Sequence, residues 1–502
     1  MARIVVIGAG MGAMAAAARL AVAGHRVAVY ERTETYGGAV RRFEREGFGF
    51  DTGPGLLPVP AVYRDLFVKT GKESLEDCVE LVQVDPASRH VFADGTEVSL
   101  PNASRAGVVT ALDEALGSGA GQRWGDFLVR AREAWDRTRR PLLEEPLWAD
   151  WRVLAEREPY PAVPHKRLLR TRRASTLAEI GAWELRDPRL AALLEGYALA
   201  HGVDPVAAPS SAAVLPYMEH AFGTWYVRGG IRELARAVYE RCVRRRVGFT
   251  FGAEVTGIVE KDGRAAGVEL ADGTVAEADF VVGPAPGRLG GLLGGREPYG
   301  PDAVRPGAEG AHTGRVVVCL ALRGAREPHA AHRTVVHSPE ATAELGLFGA
   351  GTAPERPTVR VDRPGDPALR PDDAHESVVL TATVPSAQGY DWAAPGAADA
   401  FADRMLAAAE RAVPGLGERT LWREVRTPVD TGRETGAAGG AVPPPSLAAA
   451  GGVLYPANST VIPNLFTAGG WSHPGGGLPH AGMSGALVAG LVVEGPEFRG
   501  SQ

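Results

Sequence analysis

Cysteine is scarce in this chain of 502 residues: Cys78, Cys242 and Cys319 stand far apart, with no C-x-x-C pair and no histidine at metal-ligand spacing beside them. That excludes a disulfide framework and a thiolate metal centre, and predicts reduced thiols in a cytoplasmic protein. Lysine is almost missing, at positions 69, 72, 166 and 261 only. Basic side chains total 54 against 60 acidic ones, a net charge of −6, so no global positive field exists to hold a polyanion and nucleic acid is excluded as a partner. No apolar run approaches the about 20 residues that a membrane-crossing helix needs. The four-residue run after Met1-Ala2-Arg3 is too short for the core of a signal peptide. No internal repeat is visible. What remains is an ordinary globular composition, 45% hydrophobic and 23% charged, long enough for two to four units at about 150 residues each.

The opening is informative. Ile4 to Ile7 form a continuous apolar run, as a parallel strand buried on both faces requires. Gly8-Ala9-Gly10-Met11-Gly12-Ala13 follows, then an alanine-rich helix pattern that stops at Gly24, then a second strand, Val27 to Tyr30, ending in Glu31. The acid lies 21 positions beyond the second glycine, which completes a dinucleotide-binding βαβ unit. Gly8 permits the tight turn, Gly10 lets backbone approach a pyrophosphate, and Ala13 takes the third place, where helix packs on strand. The helix N-terminus favours the phosphates, and Glu31 can accept both ribose hydroxyls.

This signature alone does not separate NAD from FAD. Gly37-Gly38 and Phe50-Asp51-Thr52-Gly53-Pro54 supply flexible backbone to wrap an extended dinucleotide, and no second glycine signature exists for a nicotinamide cofactor. Near the end, Asn464 to Pro479 places a glycine loop before an apolar helix predicted over about 481–492. Its dipole and free amides would stabilise negative charge on the pyrimidine ring of a reduced flavin. Between these ends, 110–209 mixes Arg, Glu and Trp on amphipathic helices. A helix follows Gly229-Gly230, 255–282 reads as short strands with turns at Asp262-Gly263 and Asp272-Gly273, and strands at 316–322 and 378–384 precede a helix carrying Phe401, Met405, Ala408 and Ala412. The expected class is α/β with a separate helical subdomain and a second, mixed sheet; the family resemblance given next implies a discontinuous Rossmann-like FAD-binding domain (1–110, 210–300 and 450–502), a helical lid subdomain (111–209), and a mixed-sheet substrate domain (301–449).

Taken in order, these blocks resemble the phytoene desaturase family, which includes carotenoid desaturases, carotenoid isomerases and retinol saturases. Added to Gly8 to Ala13, Glu31 with Gly37-Gly38, and Phe50 to Pro54, the blocks are Trp225 to Gly230, Thr427-Pro428 with Gly439-Gly440-Ala441, and His473-Pro-Gly-Gly-Gly-Leu-Pro479. The resemblance implies a lipophilic tunnel to a flavin and dehydrogenation of a C–C bond flanked by alkenes. It assigns Gly8, Gly10, Ala13, Glu31, Gly38, Val255 and the loop from Gly470 and Trp471 to Gly477, Leu478 and Pro479 to FAD, with Met11, Gly12, Arg32, Gly37, Arg41, Pro54 and Gly55 flanking them. No cysteine lies near the flavin loop, so the FAD is expected to be non-covalent. The chain departs from the family at Ala39, where arginine is usual, with Arg41 and Arg42 just beyond, and at Gly283-Pro284-Ala285-Pro286.

Candidates to take a proton beside the flavin are Glu219, Tyr226, Arg228 and His473, with His220 and His480 next to them and Glu144, Glu145 and Asp150 in the variable region. No metal is expected. The basic run Lys166 to Arg173 is either a solvated face or a contact for an anionic membrane or an acidic carrier protein. The expected substrate is a lipophilic conjugated polyene, isoprenoid or polyketide-derived, free or carrier-bound. A cis-trans isomerase of the same family, or a non-catalytic escort-type lipid-binding protein of the same fold, are the alternatives.

Overall fold

The computed structural model describes residues 1–164, 170–304, 313–339, 344–348 and 351–500. The opening folds as expected: strand β1 (Arg3–Ile7), helix α1 (Met11–Val22) and strand β2 (Arg26–Tyr30). Helix α2 (Arg232–Arg244) leads to strand β3 (Gly248–Thr250), then come β4 (Phe280–Gly283), β5 (Leu465–Thr467) and helix α3 (Leu478–Glu494). The five strands form one parallel sheet in the order β3-β2-β1-β4-β5. This is the doubly wound order, whose ligand crevice lies beyond the carboxyl ends of the strands. Val6 and Val29 are fully buried, as central parallel strands demand.

α1 and α3 pack with almost no side chain between them. A Cβ on Gly12 would lie 2.8 Å from the Ala481 carbonyl oxygen and 3.0 Å from the Gly469 Cα, and one on Gly485 would collide with the Gly12 carbonyl. The three-stranded meander Val255–Lys261, Arg264–Leu270, Val275–Glu277 turns at Asp262-Gly263 with both residues at positive φ, +52° and +74°, as a tight two-residue hairpin requires.

The second large sheet has seven strands, with Thr313–Arg323 and His375–Pro385 paired antiparallel at its heart. Alternation sorts the first of these: Val316, Val318, Leu320 and Leu322 face the Ala397–Ala409 helix through Phe401 and Met405, while Val317, Cys319 and Ala321 face Phe48 and Phe50. The sheet is mixed, because Arg333–Val336 runs parallel to Ser88–Val91. Two strands of the segment expected to belong wholly to the cofactor domain, Ser88–Val91 and Glu97–Leu100, therefore lie in this sheet. The helical unit starts at Arg105 rather than 111 and takes in Val214–Phe222, beyond the expected limit at 209. Its core, around Trp124, Phe127, Leu190 and Leu193, is continuous with Phe92, Leu100, Leu447 and Met483 of neighbouring units. Among the described residues, no helix is long and apolar enough to cross a membrane.

Candidate functional site

The site is built where β1 and β2 end. Gly8 turns at φ +91° and donates its N–H to the Tyr30 carbonyl, 2.7 Å. Gly10 caps α1 without any side chain over the first amides and with no acid in the first turn, so the N–H groups of Met11, Gly12 and Ala13 are left for an anion. Nothing lies within 4 Å of where a Cβ on Gly10 would sit. Gly37 donates to the Ala9 carbonyl at 2.7 Å, and Gly38 closes so tightly on Gly10 that its Cβ would approach the Gly10 Cα to 3.1 Å. Gly12 has a job that the motif does not reveal: it lets α3 and the Gly469 turn touch α1.

Glu31, at the tip of β2, is buried. One carboxylate oxygen accepts the Ala9 N–H at 2.8 Å, and the other accepts both the N–H and the hydroxyl of Thr33, each at 2.8 Å. Three of about four acceptor positions on the carboxylate are therefore taken by protein, leaving one, rather than two, for a ribose hydroxyl. The 250–255 turn seats this acid, since Glu31 donates its N–H to Thr250 and its carbonyl accepts the Ala253 N–H. Val255 is buried beside Val5 and Val281.

Arg41 supplies the cation. Its Nε donates to the Gly38 carbonyl at 2.8 Å and its Nη2 to Thr33 and Glu434, while Nη1 has no partner among the described residues. Burial lowers its pKa, opposed by Glu434 and Glu31 nearby. Arg32 points away and bonds the Arg433 carbonyl at 2.5 Å. Pro54 and Gly55 follow the strand Phe48–Asp51, and Gly55 faces the Asp362 carboxylate.

The C-terminal loop provides a second uncapped helix start. Gly477, at φ +100°, precedes α3 with no side-chain cap and no acid in the first turn, and Pro479 fits the position where its missing N–H costs nothing. α3 begins at Leu478, three residues before the predicted start. Leu478 accepts the Tyr63 hydroxyl at 2.9 Å, and Gly470 packs on Pro443. Trp471 meets Tyr455 edge-on. No protein atom lies within 4 Å of a Cβ built on Gly10 or Gly469, neither helix start has a side-chain cap or an acid in its first turn, and Arg41 and Glu31 reach the Gly38 carbonyl and the Ala9 N–H beside Gly10. This donor set fits a dinucleotide.

The proton-transfer candidates are dispersed. Glu219 is half-buried, pairs with Arg333 at 2.6 Å and accepts the Tyr197 hydroxyl; desolvation pushes its carboxyl up, but Arg333 outweighs it and holds the group below the ordinary range. Tyr226 donates to Asp366 at 2.8 Å, and burial with that carboxylate raises its pKa. Arg228 corrects the sequence reading: beyond the strand end at Val227 its side chain turns to the surface and pairs with Glu80 at 3.0 Å, away from the cradle. His473 is wholly buried and its Nε2 meets the Glu145 carbonyl at 2.9 Å. That carbonyl can only accept, so Nε2 carries the proton and Nδ1 is an acceptor with no partner. Burial pushes this ring down to about 4. His220 lies edge-on to Trp124. Glu144 and Glu145 pair with Arg139 and Arg140, and Asp150 is exposed.

One carboxyl emerges that sequence reasoning treated only as loop. Asp51 is half-buried; its Oδ2 accepts the Ile231 N–H at 3.0 Å, and its Oδ1, shielded from solvent, has no partner. Burial pushes its pKa up to about 7 against the pull of the Ile231 amide and Arg42. Strand alternation puts it on the face opposite Phe48 and Phe50, toward Gly230 and Ile231, a contact no local pattern in the sequence displays. Of the basic run, Lys166 to Leu169 lie outside the described residues; Arg170 and Arg173 are exposed and Arg172 lies over the Trp183 ring. Among the described residues no cluster is suited to a metal ion.

A profile of the flavin containing amine oxidoreductase family matches residues 14–493. A 4,4'-diapolycopene oxygenase from a Methylomonas species is 29% identical over 98% of both chains. A hydroxyneurosporene desaturase from Cereibacter sphaeroides is 30% identical over 98% of this chain and 97% of its own. Among solved structures, an oxidoreductase from Methanosarcina mazei superposes with a TM-score of 0.64 at 17% identity, over 97% of this chain and 99% of that one.

Proposed function

We propose, from the premise that this chain belongs to the flavin containing amine oxidoreductase family, that it is an FAD-dependent desaturase that removes two hydrogens across a C–C bond of a lipophilic conjugated polyene. The observation that carries this reading is the start of α3, a helix of 17 residues whose first amides meet no side chain and no acid. Bound flavin supplies the hydride acceptor. The first-turn amides of α3 would face the ring system of a bound flavin and favour negative charge there. Met11 to Ala13 and Arg41 hold the pyrophosphate, and Glu31 orients the ribose. Asp51, poised near neutrality with a free oxygen, is the proton acceptor that the chemistry needs. The Glu219 ion pair with Arg333 favours Asp51 over Glu219 for that role.

Full-length similarity to a hydroxyneurosporene desaturase supports a polyene substrate. Similarity to a 4,4'-diapolycopene oxygenase favours a second reading, in which the same substrate class gains oxygen. Anaerobic bleaching of the bound flavin by a panel of polyenes, followed by product masses, decides. Loss of two hydrogens supports desaturation; an unchanged mass with a new isomer supports isomerisation; an added oxygen under air supports oxygenation. Purified protein without flavin returns the chain to the escort-type reading. Exposed Arg170 and Arg173 are the described cations of the basic run free to meet an acidic carrier protein delivering the polyene.

A further inference from the structure

The inner strands of the second sheet have two unlike faces. On one, Val316, Val361, Leu380 and Val384 are fully buried beneath the Ala397–Ala409 helix. On the other, Phe48 and Phe50 cover Val317, Cys319 and Val379. Past those rings the same face carries Arg315 opposite Thr383, Arg360 opposite Thr381, and then Asp362. Arg360 keeps 27% of its side chain exposed and Arg315 is half-buried, although neither is on an edge strand. Inner-strand side chains that retain exposure line an opening. It borders the cofactor cradle at both ends: the Asp362 Oδ2 lies 3.8 Å from where a Cβ on Gly55 would sit, and the Thr313 carbonyl accepts the N–H of Val442, whose neighbour Pro443 packs on Gly470 and Gly476.

Charge is unbalanced in this opening. Arg360 donates its Nε to Asp362 at 2.8 Å and its Nη2 to the Thr381 hydroxyl at 3.4 Å, while its Nη1 makes no hydrogen bond among the described residues and is not sealed from solvent. Arg315 donates only to carbonyls, Gly314 at 3.1 Å and Ala200 at 2.7 Å, and no carboxylate pairs with it among the described residues. Ala200 ends the Pro188–Ala200 helix, whose dipole offsets part of the charge. Burial and the nearby Arg360 pull Arg315 down to about 10, so it remains a cation at neutral pH. Arg333 and Glu219 offset each other, and Asp362 offsets one guanidinium of the remaining two. The two flank the His375–Pro385 strand from opposite sides, two positions out of step, about 12 Å apart at Cα by strand spacing, a gap that two arginine side chains span. A shielded cation without an acid is costly unless a counter-ion meets it, and guanidinium forks match a planar carboxylate. A hydrocarbon chain offers these donors nothing. We propose that Arg315 and Arg360 together bind a carboxylate on the substrate, so that the enzyme acts on an acidic polyene. The proposal rests on the polyene reading above and narrows its substrate class.

The test uses flavin-loaded protein at pH 8 and two lipophilic polyenes of matched length, retinoic acid and methyl retinoate, titrated calorimetrically. The acid binds about tenfold tighter than the ester to the unaltered protein, as a charge-assisted contact implies. Arg315→Gln and Arg360→Gln each remove most of that preference while the ester affinity stays, and Arg360→Lys retains part of it. No difference between acid and ester, whether both bind or neither does, overturns the proposal, as does an undiminished preference in the Arg315→Gln protein. A preference erased by equimolar inorganic phosphate also overturns it, since the opening then holds a free anion rather than one end of a polyene. Should Arg360→Gln lose its flavin, Arg315→Gln decides alone. Flavin bleached by hydrocarbon polyenes without any acid preference overturns this inference and spares the desaturase reading. Acid preference without bleaching by any polyene does the reverse.

Discussion

Removing the Glu31 carboxylate has two separable consequences, because one side chain both faces the expected ribose and ties three protein donors. In Glu31→Ala the Ala9 N–H is left buried without an acceptor, a loss of about 1–3 kcal/mol, while the partly exposed Thr33 groups can turn to water at little cost. The apoprotein should therefore unfold at lower denaturant by that amount. Loss of one charge-assisted bond to the ribose, about 1.5–3 kcal/mol, weakens FAD binding by roughly 10-fold or more on top of it. Glu31→Gln separates the two: its amide oxygen satisfies one donor, but its NH2 opposes the other, so stability falls between alanine and the unaltered protein. Urea unfolding of the apoprotein and flavin-fluorescence titration, on the same preparations, measure both terms. Unchanged FAD affinity in the alanine variant refutes the ribose assignment; unchanged apoprotein stability refutes the tie to Ala9.

Glu376 is 1% exposed and bridges Arg363 at 2.7 Å and Arg419 at 2.8 Å, so Glu376→Ala strands two cations and should cost about 3–5 kcal/mol in urea unfolding; a loss under 1 kcal/mol contradicts this. Burial pushes His220, His332, His337 and His473 down to about 4 and His480 to about 3. The unfolded chain takes up those protons near pH 6.5 and the folded chain only near 4, so stability is full above 6.5 and drops as pH falls between those values; a flat melting temperature from pH 7 to 4.5 counts against it. Asp51 has the opposite sign: with its pKa raised to about 7, its contribution is full below 3.8 and lost as pH rises through 7, so Asp51→Asn should raise the unfolding free energy at pH 8 by at most about 4 kcal/mol, seen as a higher melting temperature, while slowing flavin reduction by substrate. Charge reversal at Arg170 and Arg173 should raise the KM for a carrier-bound polyene in a salt-sensitive way and spare a free short polyene; equal slowing of both marks the run as structural.

Much of the cofactor half was legible because its signals are local. An apolar run, a glycine turn, a helix period and an acid at fixed spacing read out β1, α1, β2 and Glu31 within about 30 residues. β3 was not legible, since three residues, Gly248 to Thr250, gain their place only by pairing with β2 more than 200 positions earlier. Gly477 and Pro479 read as loop, yet proline is at home in a helix's first turn, which moved the start of α3. The surroundings of the proton-transfer candidates were not legible for a related reason: a motif says which residues are near in sequence, not which way they face. Arg228 finds Glu80, Glu219 finds Arg333 and His473 finds Glu145 across the fold. The chemistry at Asp51 comes from burial, which a single sequence does not display.

The backbone contact between α1 and α3 sets an order of events during synthesis. Gly12 and Gly485 lie 473 positions apart, so α1 waits for the synthesis of α3 before that packed face is covered. At about 5–20 residues per second that wait is tens of seconds, during which Met14, Ala15 and Ala16 have no partner on that side. A chain interrupted before residue 478 has strands β1 to β5 but lacks the helix that locks the nucleotide cradle. Chains truncated before residue 478 should therefore be isolated without flavin colour.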